Sequence, residues 1–115
     1  MREKKALSHL KAFQVGEDGL PRFIFHGVNG SRVVPMDRWI KAKQKLVRNG
    51  SGQMYYKSGF HSFQSMADTA RWQKSVRKDY AICRVWVRGV RRKWSGRCFL
   101  SQYMFLSSKD FKQAL

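Results

Sequence analysis

The chain has 115 residues, with 24 Lys and Arg against seven Asp and Glu, a net charge of +17, 43% apolar residues and 14% aromatic ones. That length favours one domain able to bury a core without disulfide or metal staples, and the apolar content excludes disorder for want of core formers. The charge excess points to a polyanionic partner, because a compact chain holding so much like charge repels itself unless salt screens it.

The start, "MREKKALSHLKAF", is charged and has no apolar run of the kind that a signal peptide or membrane span needs, so a cytoplasmic protein is expected. Residues 9–15 and 21–28 flank "GEDGL", a glycine-bounded acidic turn, and read as a hairpin. Asn29-Gly30-Ser31 is a second tight-turn signal, and Arg32-Val33-Val34 completes an expected three-strand meander. The segment from Pro35 to Gly50 reads as a helix. Proline suits its first turn, Asp37 complements the helix dipole, and Asn49-Gly50 ends it. On that helix Met36, Trp39, Ile40, Leu46 and Val47 form the apolar face, and Arg38, Lys41, Lys45 and Arg48 a basic stripe opposite, with Lys43 snorkelling from the apolar side.

Residues 54–63 read as a strand interrupted by Ser58-Gly59. Ser65 followed by Asp68 resembles a capping box and opens a second helix through Lys78, with Met66, Ala70, Trp72 and Val76 on its apolar side. "YAICRVWVRG" alternates with period two, setting Ala81, Cys83, Val85 and Val87 against Tyr80, Ile82, Arg84, Trp86 and Arg88. Residues 90–96 read as a turn, 97–107 as a last strand, and 108–115 as a weak short helix. Cys83 and Cys98 are expected to be buried free thiols, since one pair makes no disulfide framework. The expected fold is α+β: a single small domain over 1–115 with an antiparallel sheet of about five or six strands and two main helices. The basic N-terminal segment and the C-terminal tail are expected to be loosely ordered.

The stretch from Cys83 to Arg97 holds six Arg/Lys, two Trp and no acid. Cations at backbone spacing grip phosphates and flat rings stack on bases, so Arg84, Trp86, Arg88, Arg91, Arg92, Lys93, Trp94 and Arg97 are candidate contacts, with Arg91–Lys93 placed first. Trp86 packed under a helix, with the arginines as solvated flanks, is the competing expectation. Arg38, Lys41, Lys45 and Arg48 offer a second basic surface, which lacks the interleaved acids of an ordinary solvated face. No KH clamp, RRM octamer or zinc-finger spacing is present, and His9, His26, His61, Cys83 and Cys98 are too scattered for a metal site. No cofactor, metal, membrane or small-molecule substrate is expected.

Ser58-Gly59-Phe60-His61-Ser62-Phe63, then Ala67 and Ala70, then Val85-Trp86-Val87-Arg88-Gly89 give the pattern SGFHxF, helix, VxVxG over residues 35–106. This pattern resembles small, mostly uncharacterised proteins of phages and other mobile elements, a family that implies no established activity. The aromatic-His strand followed by a helix also resembles the NAD-gripping half of ADP-ribosyltransferase folds. Those enzymes carry a late carboxylate, and here only Asp68, Asp79 and Asp110 follow His61. The expected function is therefore non-enzymatic binding of nucleic acid (RNA or DNA) or a nucleoprotein. A counter-defence, anti-CRISPR-like inhibitor of an effector complex is the alternative. An ADP-ribosyltransferase-like enzyme, or a metal-free ribonuclease using His26 or His61, is a minor one.

Overall fold

A computed structural model describes residues 5–24, 32–42, 46–48, 55–73, 80–92 and 98–115. The fold is α+β, a six-stranded antiparallel sheet with two helices. The first strand, β1 (Leu7–Val15), turns through Glu17–Gly19 into β2 (Pro21–Arg22). Proline is tolerated there because β2 is an edge strand and its missing N–H takes no bond from the sheet. The third leg of the expected meander makes one bridge, Arg22 to Val33, and Val34 donates to the Pro21 carbonyl at 2.8 Å. The Asn29-Gly30-Ser31 turn lies outside the described residues.

The long helix expected over 35–50 does not form. Asp37 has φ +61°. Beyond it the chain runs as β3 (Trp39–Lys41) and then β4 (Leu46–Arg48), which pairs with β5 (Tyr55–Lys57) in a separate two-stranded sheet. Helix propensity is a weak preference that a partner edge overrides. Trp39, Ile40 and Lys41 pair with Phe105, Met104 and Tyr103, and Ala42 donates to the Gln102 carbonyl. Asp37 does serve a helix dipole, but at a different helix: its Oδ1 accepts from the Ser108 N–H at 2.9 Å.

The break at Ser58-Gly59 separates β5 from β6 (Phe60–Ser62) as expected. Helix α1 (Met66–Gln73) starts as the capping box predicts, the Asp68 N–H donating to Ser65 Oγ at 3.1 Å. Its expected apolar side is only partly right, since Met66 is 54% exposed while Thr69 is fully buried. Residues 74–79, including Val76, lie outside the described residues.

The long strand β7 (Tyr80–Arg92) keeps the predicted alternation, with Ala81, Cys83, Val85 and Val87 buried. It runs further than expected, so Val90, Arg91 and Arg92 are strand and not turn, paired with Ser101, Leu100 and Phe99 of β8 (Phe99–Phe105). The chain ends in α2 (Ser108–Ala114). Its Ser107 cap and Asp110 bond reciprocally, and Phe111 is buried in the core. The short helix expected over 108–115 therefore forms, docked by an apolar anchor.

The strand order is β2-β1-β7-β8-β3, and β6 shares the β3-side edge of β8. The sheet curls until Phe63, just past β6, exchanges two backbone hydrogen bonds with Leu10 of β1, at 2.7 and 2.8 Å. Phe13, Phe60, Met104, Leu106 and Phe111 pack with the buried face of β7 in the core. Both cysteines are buried and free. No helix among the described residues is long and apolar enough to cross a membrane.

Candidate nucleic-acid interface on the outer sheet face

In an antiparallel sheet, paired residues share a face and alternate residues along each strand return to it. Because Val87, Met104 and Ile40 form one inward row, the rows on either side of it face out. One of these is Trp86–Phe105–Trp39, and the other is Arg88–Tyr103–Lys41. Arg84, two residues before Trp86, is exposed on the same face. Aromatic rings and cations are thus interleaved across three adjacent strands.

Trp86 is 37% exposed, as is Trp39. Trp86 faces outward, away from the core in which Phe111 anchors α2. The Arg88 guanidinium lies over the Trp39 ring, 4.4 Å from its centroid, and the Trp39 and Phe105 rings are 5.7 Å apart. Arg88 Nε is buried without a hydrogen-bond partner among the described residues, so ring stacking sets the position of this side chain. The Lys41 ammonium stands 5.8 Å from the Tyr103 ring centroid.

None of the residues in these rows is acidic. Three of the described carboxylates are engaged within their own turns and caps. Asp18 pairs with Arg22 at 2.8 Å, and the Leu20 N–H together with that cation holds its pKa below the usual range. Asp37 is lowered by its bonds at Ser108, and Asp110 accepts from Ser107. Among the described residues, no salt bridge ties a carboxylate to Arg84, Arg88 or Lys41.

The predicted site residues divide accordingly. Arg84, Trp86, Arg88 and Lys41 come together, Lys41 on a strand and not in a helical stripe. Arg38 is exposed just before β3. With no helix over 35–50, Arg38, Lys41, Lys45 and Arg48 do not share a helix face; Arg48 lies in β4, and Lys45 is outside the described residues. Arg91 and Arg92 sit beyond Gly89 on β7, Arg91 donating to the Ser58 carbonyl at 3.2 Å and Arg92 lying 5.4 Å from the Phe99 ring centroid. Lys93, Trp94 and Arg97 fall outside the described residues. Trp39, Tyr103 and Phe105 were missed. Period two across Tyr103-Met104-Phe105 hints at a shared face, but nothing local assigns that face to Trp86.

A second group, also missed, lies on the inward side of β1. His9 Nδ1 and Ser62 Oγ are 2.8 Å apart, both buried, with the His9 ring edge-on to Phe99. Burial lowers the His9 pKa. The Lys11 ammonium donates to the His61 carbonyl at 2.6 Å, and burial pushes its pKa down to about 8 against an opposing pull from Cys98. Histidine can activate a serine hydroxyl, but a nucleophile needs an open side to meet substrate, and this pair is closed in. A cleft between Phe23, Arg32, Val33, Pro35, Ile40, Lys41 and Phe60 has a volume of about 190 Å³, below the ~300–1,000 Å³ of small-molecule sites. Among the described residues no three His, Cys, Asp or Glu gather as metal ligands.

No family model matches the chain, and no curated protein or solved structure is significantly similar to it.

Proposed function

We propose that this chain is a non-enzymatic, basic nucleic-acid-binding protein that grips its partner, free or within a nucleoprotein, across the outer face of β3, β8 and β7. The observation that carries this is the grouping of Arg84, Arg88 and Lys41 with four aromatic side chains on one face without an acid. The net charge of +17 supplies long-range attraction, and the local cations supply the grip. The resemblance of residues 58–63 and 85–89 to phage and mobile-element proteins supports such an origin, with action in the cytoplasm of a bacterial host.

Captured phosphates release counterions, so affinity should fall with salt at about 0.7 log units per log unit of salt for each phosphate neutralised on a single strand, and about 0.9 on a duplex. Anisotropy titrations of a labelled 20-mer at several salt concentrations measure this slope. The double variant Arg84→Gln/Arg88→Gln should weaken binding and reduce the slope by roughly 1.5, two phosphates' worth. An affinity unchanged between low and high salt would sink the proposal. Failure on free nucleic acid combined with capture of a nucleoprotein would point instead to the counter-defence inhibitor.

A further inference from the structure

Resting on that function, we infer that the occupant of this face is a single strand, RNA or DNA, whose unpaired bases stack on Trp86 and the rings beside it while Arg84, Arg88 and Lys41 hold the phosphates. A duplex presents phosphates outward and keeps its base faces stacked within. It can satisfy the cations here but has nothing to offer the rings. An acidic protein surface can cover the rings with side chains but has no regular alternation of anion and flat ring. Only an unpaired strand brings both chemistries in alternation, and alternation is what the two outward rows display.

The details favour preorganisation. Arg88 is already stacked on Trp39 at 4.4 Å with its Nε enclosed, so its guanidinium is placed before any partner arrives. One face of Trp39 is thereby occupied, and Trp86, a third exposed and with no ring or cation over it among the described residues, is the open platform. Three strands about 4.8 Å apart make a patch about 10 Å across. That suits two or three nucleotides, the number stacked on other sheet-face platforms. Rings recognise the π-face common to all bases, so sequence preference should be weak.

The test uses the whole chain with 12-mer oligo(dT), 12-mer oligo(rU) and a hairpin duplex of equal phosphate number at one fixed salt concentration. Both single strands should bind about tenfold or more tighter than the duplex and quench tryptophan fluorescence. A preference between the two single strands would assign RNA or DNA. Trp86→Ala should lose about tenfold on single strands with less than twofold change on the duplex, and Trp86→Phe should recover most of the loss. Circular dichroism checks that the variants fold, and the wild-type quench stands as a readout without them. Equal binding of duplex and single strand, without quench and indifferent to Trp86→Ala, overturns this inference but leaves the electrostatic function standing. No binding to any of the three overturns this inference and, with it, the proposed binding of free nucleic acid.

Discussion

At the scale of single residues, the same alternation that predicts the core of β7 also settles Trp86. With Val85 and Val87 buried, Trp86 must lie on the opposite face, where it is 37% exposed. Gly89 shows a tighter constraint. It has φ +65°, and a Cβ there would stand 2.8 Å from Gln102 Cβ on the paired strand. Gly89→Ala combines backbone strain with a clash and should cost about 2 kcal/mol, read from urea unfolding midpoints. Gly59, whose Cβ would meet the Ser101 carbonyl at 2.9 Å, is constrained by crowding alone. The glycines of the SGFHxF and VxVxG patterns thus have structural reasons to be there. Buried bases add a pH dependence. Burial disfavours the charged forms of His9 and Lys11, so the unfolded chain binds protons that the folded chain resists. Stability from Lys11 is full above its unfolded value of about 10.5 and is lost as pH falls to about 8. That from His9 is full above 6.5 and declines below it. Urea midpoints should therefore drop between pH 7.5 and 5, and His9→Gln should flatten that drop.

Among the elements, the helix expected over 35–50 gives way to strands, while the short helix expected over 108–115 forms. Residues 35–50 carry acceptable helix signals at both ends, yet Trp39, Ile40 and Lys41 also alternate out, in, out. Three residues are too few for that period to outweigh the helical one by inspection. The unpaired edge of β8 decides the matter, because buried backbone groups must find partners. The tail, by contrast, becomes a helix whose anchor is Phe111, only 3% exposed. Phe111→Ala should cost about 3 kcal/mol or more in thermal or urea unfolding, the usual penalty for emptying a large aromatic site in a core. A tail that merely rested on the surface would show almost none. Asp37 connects the two segments, since the residue expected to start one helix caps the other.

For the molecule as a whole, charge and curvature act together. The curl that brings Phe63 onto Leu10 gives the sheet an inside, filled by the core, and an outside where β3, β8 and β7 present their second face. The outward rows of β7, β8 and β3 carry Arg88 and Lys41, with Arg84 on the same face, and no acidic residue. The strong salt dependence expected of binding, and its loss in the Arg84/Arg88 double variant, follow from this distribution more than from the total of +17. The interface was half legible in advance. Arg84, Trp86 and Arg88 could be read from one strand, but Trp39, Tyr103 and Phe105 could not be joined to them.

Composition, alternation and turn chemistry by themselves determined an α+β chain with a basic strand that sets Trp86 between two arginines on one face. These are short-range properties: β7 declares its two faces within its own residues, and the Gly59 break and the Ser65 cap act within a few positions. Tertiary structure alone decided that Trp39 pairs with Phe105, and Phe105 with Trp86. The first of these pairings joins strands far apart in sequence, and its strength comes from a backbone edge that exists only once the sheet is built. For that reason the stacking surface could be seen in part from one strand, but its other half appeared only where the chain expected to be a helix completes the sheet.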